Sequence, residues 1–155
     1  MATLTGSRAA STYPVPKGTG AGNLKVAWGS YNIATALSQN DIVQFCRVPA
    51  GAVVIGGYVQ GKDIDTGTEA FDFDIGWAAN GTEALDADGF GNFGVWDGDA
   101  VAQLRPEAGI FYPLGGVLLT TGPQTFTNET IIQGTCNAAA NAGGTGILTV
   151  VVFFV

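Results

Sequence analysis

The 155-residue sequence contains no histidine, and this absence removes several kinds of active site. Without an imidazole there is no Ser-His-Asp or Cys-His arrangement, no histidine-based zinc site and no general base of the commonest kind. The two cysteines, Cys46 and Cys136, lack the CxxC spacing of a metal or redox motif. We expect two buried thiols, with a disulfide between them as the alternative. The composition therefore favours a protein that is not an enzyme and needs no cofactor.

Charged side chains and long apolar runs are also scarce. Charged residues make up 12% of the chain, against 46% hydrophobic residues. The longest apolar run, Val150–Val155, is too short to cross a bilayer, and the first residues lack the apolar segment of a signal peptide. We therefore expect no membrane partner. Because a monomer needs charge to stay in solution, so little charge indicates surface hidden in a homo-oligomer or a larger assembly.

The charges that are present are unevenly distributed. Residues 63–104 contain ten acidic residues and no Lys or Arg, whereas residues 1–62 carry a net charge of +4. Nucleic acid is not an expected partner, because phosphate binding needs a concentrated positive patch. We expect the acidic middle to face water. Eight of the nine aspartates stand in Asp-x-Asp pairs, namely Asp63/Asp65, Asp72/Asp74, Asp86/Asp88 and Asp97/Asp99.

The pattern of apolar residues predicts an all-β protein. Short alternating segments are separated by turn residues, and the 24 glycines leave little room for a long helix. We predict a two-sheet β-sandwich, jelly-roll-like, with about eight strands in residues 24–155. The predicted strands are Leu24–Ser30, Ile42–Val48, Ala52–Gln60, Phe71–Trp77, Phe90–Trp96, Ile110–Thr121, Thr130–Cys136 and Gly146–Val155.

Alternation also predicts which side chains are buried. In Phe71–Trp77 the apolar residues should face the core, while Asp72 and Asp74 should face solvent. Leu24, Val26 and Trp28 share one face of their strand, which predicts a core position for Trp28. The last strand is apolar on both faces, so it needs a covered position. Its residues Val151, Phe153, Phe154 and Val155 should lie in the core or in an oligomer interface.

Residues 1–23 predict an extended N-terminal arm. They are rich in Gly, Ser, Thr, Ala and Pro and show no strand or helix periodicity. The arm is interpreted either as a disordered tail or as a strap that becomes ordered on a partner. For the second interpretation the candidate contact residues are Leu4, Arg8, Tyr13, Pro14, Val15 and Lys17.

Two of the Asp-x-Asp pairs fall in glycine-containing turns and could bind calcium. Asp86-Ala87-Asp88-Gly89 begins like an EF-hand loop, and Asp97-Gly98-Asp99 is a second acidic turn. The glutamate expected at the twelfth position of such a loop is missing, since Asp97 occupies it. The candidate metal ligands are Asp86, Asp88, Asp97 and Asp99; the alternative is that these residues are solvated turns and caps.

Part of the chain resembles a family of virion proteins. The stretch Val48–Gly57, then Asp65–Thr68, then Phe71–Trp77 reads as a strand ending, a Pro-Ala-Gly turn, a strand ending in glycine and an acidic-aromatic strand. In this order the segments resemble the head-decoration (cement) and auxiliary capsid proteins of tailed bacteriophages. The likeness covers roughly residues 42–95 and extends loosely to the C-terminal strand.

The resemblance implies a non-enzymatic protein of the virion, made in the host bacterial cytoplasm. Such proteins bind the outside of the capsid where capsomers meet, commonly as trimers, and their arms contact the shell. The implied partners are the major capsid protein and further copies of the chain. The alternative function is a carbohydrate- or receptor-binding module of a phage head or tail fibre. Its stacking platform would come from Trp28, Trp77, Trp96, Tyr31 and Tyr58.

Overall fold

The computed structural model describes residues 1–6, 9–13, 23–96 and 109–155. These residues form ten strands and one short helix. In chain order they are β1 (Thr3–Thr5), β2 (Lys25–Ile33), β3 (Ile42–Val48), β4 (Val53–Gly61), β5 (Asp72–Trp77), β6 (Asp86–Gly91), β7 (Ile110–Pro113), α1 (Val117–Thr120), β8 (Gln124–Thr125), β9 (Thr130–Ala138) and β10 (Gly146–Phe154). Within the described ranges, no helix is long and apolar enough to span a membrane.

The strands form two five-stranded sheets, which confirms the predicted all-β sandwich. Sheet A has the order β1-β3-β9-β5-β6. Sheet B has the order β2-β10-β4-β7, with β8 also paired to β4. Every pairing is antiparallel except that of β1 with β3. The narrower assignment to the jelly-roll type stays a prediction.

The core between the sheets is rich in aromatic side chains. Phe71 and Phe73 stack with their ring centroids 5.7 Å apart, and Trp96 meets both edge-on. A second group joins Trp77, Phe90 and Phe126 through edge contacts. All of these rings are buried, so they remove a large apolar area from water and hold the two sheets together.

Strand boundaries match the sequence pattern best where alternation is strong. β3 spans Ile42–Val48, as predicted, and β5 begins one residue after the predicted Phe71. The predicted strand Phe90–Trp96 is wrong, because the strand occupies Asp86–Gly91. The predicted strand Ile110–Thr121 ends at Pro113 and is followed by α1. A helical turn expected at Ala100–Leu104 lies outside the described residues.

Two short strands, β1 and β8, lie outside the eight predicted strands. Thr3–Thr5 forms β1, an edge strand that pairs in parallel with β3, so this part of the predicted arm is sheet. The short strand β8 closes on the start of β4. The remaining extent of the arm, and with it the domain boundary at residue 23, stays a prediction. Both cysteines are buried and neither forms a disulfide, which excludes the disulfide alternative.

Candidate functional site

The outer surface of sheet B carries an apolar face. It consists of the outward side chains of β2, β10, β4 and β7, namely Val26, Trp28, Tyr58, Phe111, Val151 and Phe153. The register places Trp28, Val151 and Tyr58 side by side across three strands. The Tyr58 ring stacks on Phe111 at 5.1 Å and meets Phe153 edge-on at 6.1 Å. Three of its six residues, Val26, Trp28 and Phe111, are exposed large hydrophobic side chains.

Trp28 lies on this face because the inner side of β2 has no room for it. The opposite side of the strand holds Ala27 and Gly29, and both are buried. A Cβ atom added to Gly29 would lie 1.9 Å from the carbonyl oxygen of Phe45 on β3. The prediction that Trp28 is a core residue is therefore wrong. The exposed fraction is 42% for Trp28 and 45% for Val26. The large apolar side chains of β2 therefore face outward, toward solvent or a partner.

The outer surface of sheet A is polar by comparison. Its centre is a hydrogen-bonded group in which the Asn137 side-chain amide donates to the Asp74 carboxylate at 2.7 Å and to Asp72 at 3.2 Å. Toward β1, the Thr5 hydroxyl donates to the Gln44 side-chain oxygen at 3.4 Å. The two outer surfaces of the sandwich thus differ in chemistry, one polar and acidic and the other apolar.

Asp74 is buried, so the prediction of a solvent-facing side chain is wrong for this residue. It is 4% exposed, and one of its carboxylate oxygens has no hydrogen-bond partner among the described residues. Burial raises the pKa of the Asp74 carboxyl, with repulsion from Asp72 adding to the effect and the Asn137 bond opposing it. Alternation places Asp74 on the side of β5 opposite Phe73 and Ile75, yet its side chain is buried. Asp72 remains only partly buried.

Asp65 is a second buried carboxylate, and it joins two loops. Its Oδ2 accepts backbone N–H bonds from Ala70 at 2.9 Å, Phe71 at 3.2 Å and Asn141 at 3.0 Å, while Oδ1 accepts one from Ala142 at 3.1 Å. Burial by itself would raise the pKa of the Asp65 carboxyl, but the four N–H donors outweigh it and lower the pKa. Asp65 is thus a structural clamp, a role that sequence alternation did not reveal.

Two of the four predicted calcium ligands fall on a strand rather than in a turn. Asp86 and Asp88 begin β6, and Asp97 and Asp99 lie outside the described residues. Burial, together with a hydrogen bond to Asp88, raises the pKa of the Asp86 carboxyl. In the described part of the chain, no group of three or more His, Cys, Asp or Glu residues could hold a metal ion. Calcium binding stays a prediction, and thermal melting in millimolar calcium against a chelator tests it.

The candidate arm contacts are placed only in part. Leu4 lies on β1 and packs against the core. Tyr13 lies at the end of a turn, and its backbone N–H donates to the Ala10 carbonyl oxygen at 2.9 Å. The Arg47 guanidinium ties this segment to sheet A, because its Nε donates to the Ala9 carbonyl at 3.2 Å and its Nη1 to Glu129 at 2.8 Å. The other four candidates, Arg8, Pro14, Val15 and Lys17, lie outside the described residues.

The four C-terminal candidates occupy three kinds of position. Phe154 is fully buried in the core, whereas Val151 and Phe153 belong to the apolar face. Val155 closes the sheet through a pair of backbone bonds with Val53 at 3.0 and 3.1 Å. Because β10 lies between β2 and β4, its inward residues are covered by the sandwich itself, while its outward residues depend on whatever faces sheet B.

Similar architectures occur in chains of phage capsids. A chain in the capsid of Ralstonia phage GP4 superposes with a TM-score of 0.73 at 18% identity, covering 99% of this chain and 97% of that one. A chain in the cyanophage Pam1 capsid gives a TM-score of 0.63 at 23% identity, with 96% of both chains covered. The fold is shared with these capsid chains. No family model and no curated protein matches the sequence.

A third capsid chain shows a weaker similarity. It comes from the acidic stable capsid of Helicobacter pylori bacteriophage KHP30, with a TM-score of 0.51 at 15% identity and 85% of this chain covered.

Sequence alternation assigned the wrong side of β2 to the core, and the apolar face was missed for this reason. The signal that could have located it is the Ala27-Trp28-Gly29 sequence, because a large side chain between two very small ones suggests that the crowded side of the strand carries the small ones.

Proposed function

We propose that this chain is a non-enzymatic structural protein of a phage virion, which binds the outside of the capsid and stabilises capsomer junctions. The observation that carries the proposal is the fold shared with the GP4 capsid chain over 99% of this chain and 97% of that one. Because the match covers nearly all of both chains, it supports a shell role for the chain as a whole. We further propose that it acts as a trimer, is made in the host bacterial cytoplasm and takes the major capsid protein as its partner.

The chemistry of the molecule supports a role in an assembly. A chain with 12% charged residues that exposes a contiguous apolar face is better suited to contact than to isolated solution. The polar outer surface of sheet A suits the side exposed to solvent. These properties agree with the sequence-based resemblance to decoration proteins, which rests on separate residues.

The arm is the proposed contact with the shell. It carries the cations Arg8 and Lys17 beside Tyr13, Pro14 and Val15, so it could meet an acidic, partly apolar neighbour. Ordering a free segment costs about 1–2 kcal/mol per residue, and many symmetric copies on one shell would offset that cost. The paired strand β1 anchors the start of the arm to its own sandwich.

Binding to isolated capsids tests this function. Deleting residues 1–22 would remove β1 together with the rest of the arm. Single charge reversals in the arm test its role while leaving β1 in place. We expect the unaltered chain to co-sediment with capsids that lack it, and Arg8→Glu or Lys17→Glu to weaken binding about tenfold. Arg105→Glu, a reversal of the same kind outside the arm, is the control. No co-sedimentation of the unaltered chain would overturn the function; full binding by both arm variants would overturn the role of the arm.

The exposure of Trp28 favours a second candidate, a carbohydrate- or receptor-binding module. Trp28 and Tyr58 lie on the same outer face and could stack on sugar rings. Trp77 and Trp96 are buried, which excludes them from such a platform. Titrating tryptophan fluorescence with host polysaccharide separates the candidates: saturable quenching that Trp28→Ala abolishes would favour carbohydrate binding, and an unchanged signal would favour the capsid role.

A further inference from the structure

Asn80 is the one asparagine of this sequence that is followed by glycine, and the pair lies in the loop between β5 and β6. An Asn-Gly pair is chemically labile, because the backbone nitrogen of the glycine can attack the side-chain carbonyl carbon of the asparagine, and glycine has no Cβ atom in the way. There is also space around Gly81, since an added Cβ atom would meet no described atom within 4 Å. Asn80 is therefore the position of this chain most prone to spontaneous deamidation.

The Asn80 side-chain amide is held at both of its ends. Its Oδ1 accepts the backbone N–H groups of Thr82 at 3.0 Å and Glu83 at 2.8 Å. Its Nδ2 donates to the Glu83 carboxylate and the Thr130 hydroxyl, and more weakly to the Asn128 carbonyl at 3.4 Å. The amide group therefore cannot rotate without breaking bonds within its own loop and bonds to the start of β9.

The loop between β8 and β9 holds the first loop in return. The Asn128 side-chain amide donates to the Thr82 hydroxyl at 2.9 Å and to the Asn80 backbone carbonyl at 3.2 Å. The Thr127 N–H donates to the Glu83 carboxylate at 3.0 Å, and this bond is the main reason that the pKa of the Glu83 carboxyl is lowered. The Glu83 carboxylate is therefore charged at neutral pH. The side chains that join the two loops form a loop network, whose members are Asn80, Thr82, Glu83, Asn128 and Thr130.

Deamidation of Asn80 requires this network to open. A bond forms between the Gly81 nitrogen and the Asn80 Cγ, and the bond from Cγ to Nδ2 breaks. Ammonia leaves with the proton of the Gly81 N–H, and water opens the resulting succinimide ring to aspartate or isoaspartate. Because Nδ2 departs and the amide loses its planar geometry, the hydrogen bonds that hold it have to break. The rate is therefore reduced by the fraction of molecules in which the loops are open.

We propose that Asn80 is a deamidation site that the loop network keeps unreactive while the two loops are joined, and that the reaction, once it occurs, keeps them apart. The product carries a carboxylate in place of the Asn80 amide, so it donates no hydrogen bond to Glu83 or Thr130. Its charge also lies beside the charged Glu83, and like charges next to each other repel. An opening where β5 ends and β9 begins thus becomes permanent. This inference does not depend on the proposed function.

A comparison of the folded and the unfolded chain tests the protection. The protein is incubated with and without guanidinium in one mildly alkaline buffer, which promotes the attack of the Gly81 nitrogen. Peptide mass spectrometry follows the conversion of Asn80 to aspartate and isoaspartate. We expect conversion in the folded protein to be at least about tenfold slower than in the unfolded chain. Equal rates would overturn the proposal, because the folded structure would then give no protection.

A substitution in the second loop links the protection to the network. Thr130→Val removes an acceptor of the Asn80 amide, and Thr3→Val, at an exposed position on β1, is the matched control. We expect Asn80 to convert about fivefold faster in Thr130→Val than in the control, because one hydrogen bond fewer has to break. Circular dichroism establishes that both variants are folded, and Asn128→Ala replaces Thr130→Val if the latter does not fold. A folded network variant in which Asn80 converts no faster than in the control would contradict the proposed protection.

Asn80→Asp tests the second half of the proposal, because aspartate is one product of the reaction. Asn92→Asp is its control, since the Asn92 side-chain oxygen accepts the Gly94 N–H at 3.3 Å and a carboxylate can accept the same bond. The Thr127 amide, which donates to Glu83, should exchange its hydrogen at least about tenfold faster in Asn80→Asp and at an unchanged rate in the control. Unchanged exchange at Thr127 in Asn80→Asp would show that the loops stay joined after the reaction and would overturn this half.

Discussion

Asp65 and Asp74 are two buried carboxylates whose surroundings affect folding in opposite directions. Asp65 accepts four backbone N–H bonds, so its charged form is well solvated by the protein. Asp74 has one unpaired oxygen and an acidic neighbour, so its charged form is disfavoured. The two carboxylates are almost equally buried, at 2% and 4% exposed. The difference between them lies in the number of hydrogen-bond donors around each one.

Asp65→Asn should destabilise the fold by about 2 kcal/mol at neutral pH, because an amide cannot accept the same bonds and a buried charged acceptor is lost. The folded-state pKa of Asp65 is lowered, so its contribution is present above the unfolded value of about 3.9 and is lost as the pH falls through the lower folded value. Chemical denaturation of both proteins between pH 7 and pH 2 measures the difference, which should shrink in acid.

Asp74→Asn is the matched control for that experiment. An amide oxygen at this position can still accept the Asn137 bond, while the disfavoured charge is removed. The pKa of Asp74 is raised, so the unaltered residue costs stability at neutral pH and stops doing so as the pH falls through the raised value. We expect Asp74→Asn to be at least as stable as the unaltered protein. A loss as large as that of Asp65→Asn would contradict this account.

Gly29→Ala should destabilise the fold by about 3 kcal/mol or more, because the added carbon meets the Phe45 backbone and neither sheet can yield without repacking. Gly56→Ala on β4 is the control, since its added carbon meets only the edge of the Phe153 ring at 3.9 Å. Urea denaturation of the two variants compares them. Equal midpoints would show that β2 and β3 do not approach each other so closely.

At the scale of elements, β1 shows how a segment without a strand pattern becomes part of a sheet. The sequence Thr3-Leu4-Thr5 is too short to predict a strand, but β3 offers an open edge beside it. Asp41 strengthens the pairing by accepting the Ala2 N–H at 3.0 Å and the Ser38 N–H at 2.9 Å. These donors, Ser38 first, lower the pKa of the Asp41 carboxyl.

Hydrogen exchange should detect this pairing in the free protein. The Gly6 amide donates to the Gln44 carbonyl at 2.6 Å and the Ile42 amide to the Ala2 carbonyl at 2.9 Å, so both should exchange slowly. Removing residues 1–6 should make Ile42 exchange fast and leave the centre of β9 protected. Fast exchange at Gly6 and Ile42 in the intact chain would instead favour an arm that is free from its first residue.

β6 and α1 show where periodicity could not define the elements. Phe90–Trp96 contains two glycines, so its alternation is weak, and the strand lies earlier, on residues that resembled a calcium loop. Pro113 and two following glycines end β7 before the predicted strand is complete. Strong alternation, as in β3 and β5, located strands well because the apolar side of each strand packs into the core between the two sheets.

At the scale of the whole molecule, the acidic middle has more than one role. It was predicted to face water, yet Asp65 and Asp74 are buried and only part of the series lies at the surface. Asp88, the third residue of β6, is exposed. The same Asp-x-Asp motif therefore contributes a buried clamp between loops at Asp65 and an exposed charge at Asp88.

Purified phage particles provide the test at this scale. If the chain is a trimeric shell component, it should be present in assembled particles in a copy number divisible by three. Quantitative mass spectrometry against the major capsid protein measures that number, and averaged electron density should show three copies around each site. Absence from particles that otherwise contain a complete shell would contradict the proposed function.

The sequence by itself determined the all-β class, the position of the strongest strands and the lack of histidine-based chemistry. These follow from composition and from a side-chain period of two, which are local properties. Only the tertiary structure decided which side of β2 faces out, which aspartates are buried and that Thr3–Thr5 pairs with β3. Those outcomes depend on which strand comes close to which, such as β3 against Gly29, and this distance is not encoded within any single segment.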